Sequence, residues 1–472
     1  MIIDFFWIGG TIVLALGLGI YFGRKQKSVS DYFLGGGQLP WPALALSIVA
    51  TETSTLTFIG IPAMAYSGNW GFLQVAIGYI IGRYLVAMWL LPKYWRGDIL
   101  SAYGYIRERL GPGVGKTTSG IFILTRTLAD GVRLYATALP IMYLLDIPLL
   151  TALLLIALVT ILYTFWGGLK AVVWMDVIQF AFYVIAGSMA LYFALQMSGL
   201  SEVNALWAYV ASSPKTEIFN WSEWNGYGFG LAVLGGMVLT FGSHGTDQII
   251  VQRLLAAGNI VSAQKALKAS GWLVLLQFIL FLLLGSVIFI ILQDPHWPYP
   301  PETANDILPW FITYGMPDYL RGFIVAGVLA AAMSSLSSSL NALASATVGD
   351  FNVKLGSKRS AVTQSRLVSL IWGLILIIPA LAASEWGNVL EVGLGIAAYA
   401  YIFLIFVFIV SIQDLPKSLW IWLSPLMAMI IVWVLTQQVF SLHWLWRIPI
   451  GTVIAFCIYA IAVLFSRKDS TA

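Results

Sequence analysis

Five serines stand in the segment Ala330-Ala331-Ala332-Met333-Ser334-Ser335-Leu336-Ser337-Ser338-Ser339-Leu340-Asn341, inside an otherwise apolar stretch. Polar oxygens at the depth of a membrane span mark an ion path. At about 100° per residue, Ala331, Ser334, Ser335 and Ser338 share one helical face, and Ser334, Ser337 and Ser338 share a second, overlapping one. A small hard cation such as Na+ takes hydroxyl and carbonyl oxygens, so this helix has room for one site or for two that share Ser334. The same small residues also suit a tight packing seam between helices, and the segment alone does not choose between the readings.

A second set of chemistry-bearing residues is charged. Arg126, Asp130 and Arg133 fall within about 60° of one another on a helix. Arg126 and Asp130 are an i,i+4 pair, which leaves Arg133 in surplus unless Glu52 or another acid balances it. A free arginine offers a planar fork suited to a carboxylate. Alternatively, Glu52, Arg83, Arg126, Asp130 and Arg133 form a network that only holds the bundle together, since intramembrane charges commonly pair with one another. Glu52 itself has three readings: facing a substrate, pairing with an arginine, or taking up a proton. Ser54, Thr57 and Gln74 add hydrogen-bonding capacity, and Phe241 is placed to stack or gate, although each also serves as plain lining. His244, beside Gly245, is either a pH-sensitive cavity residue or a satisfied buried histidine.

The elements that position these groups follow from composition. Sixty per cent of the residues are hydrophobic, only 10% are charged, and the mean hydropathy is +0.87. Soluble proteins lie near 45–50% apolar and about 25% charged, so this is an all-α polytopic membrane protein. About thirteen candidate spans of roughly 20 residues are expected, near 4–23, 40–66, 73–94, 117–143, 148–167, 172–196, 228–254, 270–293, 320–348, 364–384, 388–412, 417–437 and 444–465. The first span lacks a cationic leader and a small-residue cleavage site, and reads as a retained helix. The lone Cys457 excludes an internal disulfide and a cysteine metal cluster.

Basic residues set the orientation. Arg24, Lys25 and Lys27, then Lys93, Arg96, Arg107, Arg109 and Lys116, then Lys265 and Lys268, then Lys354, Lys358 and Arg359, and finally Arg467 and Lys468 occupy alternate loops. The other loops carry Asp146, Glu202, Glu217, Glu223, Asp294, Glu302, Asp306, Asp318 and Glu385. The N-terminus is expected outside and the C-terminus in the cytoplasm. The net charge of +4 reflects this sorting and gives no case for nucleic-acid binding.

Two spans read as interrupted helices. The second carries Ala50-Thr51-Glu52-Thr53-Ser54-Thr55-Leu56-Thr57, and the seventh carries Gly242-Ser243-His244-Gly245-Thr246-Asp247-Gln248. Each would leave backbone groups unsatisfied unless it lines a cavity. They enter from opposite sides, so each can open a five-span unit, about 40–196 and about 228–412, with flanking helices at about 4–23, 417–437 and 444–465 around a single transporter domain, 1–472. This is the inverted-repeat layout of secondary transporters.

Four strings in order then resemble the sodium:solute symporter family. They are Asp31-Tyr32-Phe33-Leu34 with Leu39-Pro40-Trp41; the run Thr164 to Gln179, similar to G-G-x-x-A-V-x-W-x-D-x-x-Q; Thr246-Asp247-Gln248 to Gln252-Arg253, similar to the T-D-Q-x-x-x-Q-R of sugar carriers; and the serine helix. The resemblance implies a five-plus-five inverted repeat with three flanking helices. It also implies a main sodium site of carbonyls from Ala50 and Thr53, the carbonyl of Ala331 and the hydroxyls of Ser334 and Ser335. A second site, as in some members, would use Asp176, Ser334, Ser337 and Ser338. The other reading of Asp176 is a structural acceptor near Lys170. Members that carry sialic acid anchor its carboxylate on an arginine of the fourth span, which here leaves Arg126 and Arg133 as candidates.

The expected function is a sodium-coupled secondary active symporter that imports a small polar or anionic organic solute by alternating access, in the cytoplasmic membrane. Its partners are the solute, Na+ and the lipid bilayer, with Na+ as coupling ion and no other cofactor; a monomer suffices for transport. A membrane solute sensor and a proton-coupled carrier working through Glu52 are the alternatives. The chain stops soon after the last span, at Ser466 to Ala472, which counts against a fused signalling domain. No H-E-x-x-H, G-x-S-x-G or phosphate-binding glycine loop occurs, so an enzyme is not expected.

Overall fold

The computed structural model describes residues 28–95, 101–145, 147–221, 227–297, 301, 303–351, 353, 360–386, 389–413, 415–439 and 443–469, with scattered positions before residue 28. The described residues are helical apart from short connections and one isolated bridge between Leu39 and Ala257. Helix α1, Val29–Leu34, starts where the Ser28 hydroxyl accepts the Asp31 amide at 3.0 Å and the Asp31 carboxylate accepts the Ser28 amide at 3.0 Å. This reciprocal cap satisfies two otherwise orphaned donors.

The next helix is broken. Helix α2, Trp41–Glu52, opens after Pro40, and α3 is Thr55–Ser67. Thr53 and Ser54 between them have extended backbones, and the two halves meet at 63°. The polar, β-branched run of the sequence is thus the break itself. Helix α4, Phe72–Lys93, follows. Then come the short α5, Ala102–Leu110, and the long α6, Pro112–Leu145. Helices α7, Leu149–Leu162, and α8, Gly167–Ser198, are divided at Gly168, whose φ of 55° favours a residue without a Cβ.

The second half repeats the pattern. Helix α9, Phe229–Gly245, and α10, Gln248–Leu255, are bent by 59° across Thr246 and Asp247. They are followed by α11, Ile260–Ile291, the serine helix α12, Asp318–Phe351, then α13, Ala361–Glu385, and α14, Val389–Ile412. Helices α16, Trp444–Asp469, and α15, Trp420–Gln437, pack against each other at the edge.

The packing shows how the halves are related. The first broken helix lies on α11 and the second on α4, while α8 packs on α12 and α14 on α6. These four partnerships recur with the two halves exchanged, as a two-fold axis relating two five-helix units requires. The α4–α9 contact is so close that a Cβ at Gly236 would collide with the Val75 carbonyl.

Eight described helices are long and apolar enough to cross a membrane, or ten if each bent pair counts as one span. Helix α6, which carries Arg126, Asp130 and Arg133, and the shorter α7 are not among these eight. The expected first span, 4–23, lies outside the described residues except for scattered positions, so thirteen spans are not reached among the described residues. Large apolar side chains face outward on the peripheral helices, among them Leu158, Leu276, Ile430 and Leu464. The serine helix is the most enclosed span. Its oxygens therefore lie at the centre of the bundle, away from lipid.

Candidate functional site

The four motif strings converge. Tyr32 Oη donates to the Thr164 carbonyl at 3.2 Å, and Gln252 Nε2 donates to the Phe33 carbonyl and to Asn341 Oδ1, each at 2.6 Å. Segments far apart in the chain thereby meet, and Gln252 ties the second broken helix to the serine helix.

At the first break, extended backbone at Thr53 and Ser54 turns carbonyls away from the helical ladder. The Ser335 hydroxyl lies 3.1 Å from the Thr51 carbonyl, 3.3 Å from that of Thr53 and 3.4 Å from that of Ala331. One hydroxyl has one proton, which the Thr51 and Thr53 carbonyls must share, while the Ala331 carbonyl also takes the Ser335 amide in the ladder of α12. Such an oxygen-rich point, buried and short of hydrogen-bond donors, suits a small hard cation. The Thr53 side chain is turned elsewhere, donating to Gln277 Oε1 at 2.9 Å, where Tyr183 Oη also donates at 2.9 Å. Thr53, Ala331 and Ser335 are thus brought together. Ala50 is fully buried on the last turn of α2, but the carbonyl beside Ser335 from that turn is the one of Thr51. The Ser334 hydroxyl points away from this point and donates to Asp176 Oδ1 at 2.8 Å.

The second cluster surrounds Asp176, which has no solvent exposure. Its Oδ2 accepts Ser47 Oγ at 2.5 Å, Arg253 Nη2 at 2.9 Å and Thr51 Oγ1 at 3.4 Å. Ser338 Oγ contacts Thr51 Oγ1 at 3.0 Å and accepts from Arg253 Nη2. Ser337 and Ser338 donate back to the Ser334 carbonyl at 3.1 and 2.7 Å. Asp176 meets Ser334 directly, Ser338 joins through Thr51 and Arg253, and Ser337 joins through the Ser334 carbonyl. Sequence reasoning took Asp176 as a sodium ligand or, alternatively, a structural acceptor near Lys170, and did not name Arg253 as its partner. The signal lay in view, since Arg253 closes the T-D-Q-x-x-x-Q-R string and is a charged residue on an apolar half-helix.

The charged residues fall into two groups. In one, Glu52 pairs with Arg83, whose Nη2 also lies 3.0 Å from His244 Nε2. His244 Nε2 is 3.6 Å from Glu52, and its Nδ1 is 2.8 Å from Ser243 Oγ. In the other, Arg126 Nε donates to Asp130 at 2.7 Å, and its Nη2 donates to Ser339 at 3.1 Å. Its Nη1 lies 3.8 Å from Asp247, which also accepts Tyr401 Oη at 3.1 Å. Arg126 is committed to two carboxylates. Arg133 has a 3.5 Å contact to Asp130, and its side chain is 27% exposed against 9% for Arg126. It also lies near the first break: its carbonyl accepts Thr137 Oγ1, which is 3.3 Å from Thr55 Oγ1 at the start of α3.

The remaining predicted residues are more dispersed. Thr57 Oγ1 accepts the Ser54 amide at 3.4 Å beside the break. Gln74 Nε2 donates to the carbonyls of Gly71 at 3.2 Å and Tyr227 at 2.6 Å, tying the first turn of α4 to a loop. The Phe241 ring sits 5.8 Å from that of Trp89, a residue exposed on the bundle surface. Asp247 and Tyr401, which hold Arg126, were not among the expected site residues.

Broken helices crossing beside a buried helix of hydroxyls define a secondary transporter built on an inverted repeat. The sequence pattern of the sodium:solute symporter family matches residues 32–413, and the chain belongs to that family. It is a multi-pass membrane protein and a sodium-coupled symporter, not an enzyme. The chain is 31% identical over 365 residues to the sodium/sialic acid symporter NanT of Aliivibrio fischeri, covering 75% of this chain and 70% of that relative. It is 30% identical over 381 residues to the sodium/sialic acid symporter SiaT of Proteus mirabilis, covering 77% and 75%. Among solved structures, a substrate-bound, outward-open Na+-coupled sialic acid symporter with a novel Na+ site superposes with a TM-score of 0.86, 25% identity and 98% coverage of both chains.

Proposed function

We propose that this protein couples inward Na+ flow to uptake of a small carboxylate-bearing sugar, of the sialic acid type. The observation that carries this reading is the convergence of the Thr51, Thr53 and Ala331 carbonyls on Ser335 at the break of the first core helix. The coupling ion would bind there, among Ala50, Thr53, Ala331, Ser334 and Ser335, with the Ser334 hydroxyl turning from Asp176 to reach it. Sodium at this point ties α2 and α3 to the serine helix and so favours the arrangement in which solute binds. Coupling is reciprocal, so solute must tighten sodium binding by the same factor. Asp176, Ser334, Ser337 and Ser338 form a second cation pocket.

Arg133 is the anchor for the solute carboxylate, because Arg126 is already held by Asp130 and Asp247. Glu52, Ser54 and Thr57 at the break supply acceptors and hydroxyls for the rest of the solute, with Gln74 and Phe241 toward the edges of the path. A proton-coupled cycle would require Glu52 to give up the Arg83 pair, with His244 Nε2, at 3.6 Å, as the other group in reach. The repeats at about 40–196 and 228–412 would rock about the site, with the N-terminus outside and the C-terminus in the cytoplasm, as the basic loops dictate.

Uptake into proteoliposomes tests this. N-acetylneuraminic acid should accumulate under an inward NaCl gradient and not under KCl, and glucose should not compete. In Arg133→Ala, loss of a charge-assisted fork worth about 1.5–3 kcal/mol should weaken apparent solute affinity roughly 10- to 100-fold. Equal uptake in KCl would remove sodium coupling, and an unchanged affinity in the variant would remove the arginine anchor.

A further inference from the structure

Helix α5 is short, yet its first turn is polar and enclosed. It lies between α4 and α6, in the loop whose basic residues assign it to the cytoplasmic side. Ser101, Ala102, Tyr103, Gln248, Ser345 and Asp350 are all buried there. Two sets of hydrogen bonds meet at this turn. In the first, Ser101 Oγ donates to Asp350 Oδ1 at 2.6 Å while capping α5 by accepting the Gly104 amide at 3.0 Å, and Ser119 Oγ of α6 donates to Asp350 Oδ2 at 2.9 Å. Arg107 Nη1 lies 3.9 Å from the same carboxylate and donates to the Gly349 carbonyl at 3.2 Å. A Cβ at Gly115 would meet Arg107 Cβ at 2.6 Å, so α5 and the first turn of α6 are in close contact. The start of α6, the end of α12 and α5 thus form one body. In the second set, the Ala102 amide donates to Gln248 Oε1 at 2.7 Å, Gln248 Nε2 donates to Ser345 Oγ at 3.2 Å, and the Gln248 amide lies 3.4 Å from Tyr103 Oη. Gln248 opens α10, so this set joins the inner half of the second broken helix to that body.

The two sets differ in how readily they part. Bonds to the Asp350 carboxylate are charge-assisted and roughly twice as strong as neutral ones. The Gln248 bonds are neutral, and water entering the seam would satisfy the Ala102 amide, one of the orphan donors of a helix start. Along α12, α10 makes successive contacts: Arg253 with Ser338, Gln252 with Asn341 and Gln248 with Ser345. Ser345 stands ten residues beyond Ser335, roughly 15 Å along the helix from the converging carbonyls. The Gln248 contact is therefore the one nearest the cytoplasmic end of α12.

We propose that the first turn of α5 is the inner gate of this carrier, with Gln248 as its latch and Asp350 as the anchor that fixes the receiving surface. In this structure the latch is closed. For Na+ and solute to leave toward the cytoplasm, α10 swings away from α5 and α12 at Gln248, while α5, α6 and α12 stay joined through Asp350. Rocking of one bundle against another about a fixed site needs a seam that parts and a seam that holds, and the two hydrogen-bond sets supply them. The inference rests on the symport reading.

A thiol placed behind the latch tests this. The full-length carrier, with Cys457→Ser to remove its lone cysteine and Ser345→Cys as the reporter, is reconstituted in vesicles of each orientation and treated with a membrane-impermeant maleimide. Labelling should be slow and should come from the cytoplasmic side. Gln248→Met keeps the length of the side chain but removes both of its hydrogen bonds, and should speed labelling from that side on the order of tenfold. An unchanged rate in Gln248→Met overturns the latch, and labelling that rises equally from both sides overturns the gate by showing a general loosening instead. If Gln248→Met does not fold, hydrogen exchange of the unmodified chain decides. Adding N-acetylneuraminic acid to the carrier in sodium should lower protection at residues 102–106 and 248–251 together, with protection kept around Ser119 and Asp350; unchanged protection at α5 overturns the proposal. Sodium-independent uptake by the wild type would remove the symport reading itself, whereas a carrier that takes up solute with sodium and fails these tests has its inner gate elsewhere.

Discussion

The two helix breaks use the same backbone device to opposite ends. At the first, between α2 and α3, the Glu52 carboxylate turns to Arg83, and the Thr51 and Thr53 carbonyls share one serine hydroxyl among the described hydrogen bonds. At the second, between α9 and α10, Asp247 fills the gap. Its Oδ1 caps α10 through the Ile249 amide at 2.9 Å, and its Oδ2 takes Tyr401 and faces Arg126. An interruption of a membrane helix exposes polar backbone that something must satisfy. The second break is satisfied by residues of the chain, and the first is where the proposed ion would bind.

This contrast can be broken from either side. The largest effect should come at the sealed break. Asp247→Ala removes a cap, worth about 1 kcal/mol, and one of two carboxylates facing a buried arginine, so the loss should approach the 3–5 kcal/mol typical of a disrupted buried pair. Chemical denaturation or thermal unfolding in detergent would show it, in sodium and potassium alike. A variant as stable as the wild type would mean that Asp247 seals nothing.

At the open break the effect should be smaller and confined to sodium. Ser335→Ala removes the hydroxyl on which the carbonyls converge, and should raise the sodium concentration for half-maximal uptake roughly tenfold, for about 1.4 kcal/mol. Its stability in KCl should stay close to that of the wild type. Equal destabilisation in both salts would make Ser335 a structural cap like Asp247, and the contrast between the breaks would disappear. The smallest effect belongs to the flank. Thr55→Val loses the 3.3 Å contact to Thr137, and a loss of about 0.5–1.5 kcal/mol in stability is expected. If solute affinity also falls in Thr55→Val, the Thr55–Thr137 contact positions Arg133, and the open break serves solute as well as ion.

Much of this was written locally. The break at Thr53 and Ser54 could be read because a polar, β-branched run in an apolar span is a poor helix, and the serine face could be read because helical periodicity fixes which hydroxyls share a side. Arg133 stood out as the surplus charge on α6 for the same reason. Other features depend on a single residue of register or on contacts distant in sequence. Whether the carbonyl of Ala50 or Thr51 meets Ser335 turns on where α2 stops unwinding. Whether Ser334 faces the carbonyls or Asp176 turns on a side-chain rotation.

The sequence determined, through composition and short-range pattern, that this is a helical membrane carrier with two interrupted helices and a central helix rich in hydroxyls. Those properties depend on the transfer of side chains to lipid and on periodicity along one helix, both of which act over a few residues. Only the tertiary structure decided which charges meet. Arg253 reaches Asp176 from 77 positions away, Asp247 faces Arg126 rather than Glu52, and Glu52 takes Arg83. Any of these cations would neutralise any of these acids in a list of residues. Buried charges, however, are stabilised only by partners within a few ångströms, and those distances are set by how the two halves of the bundle pack.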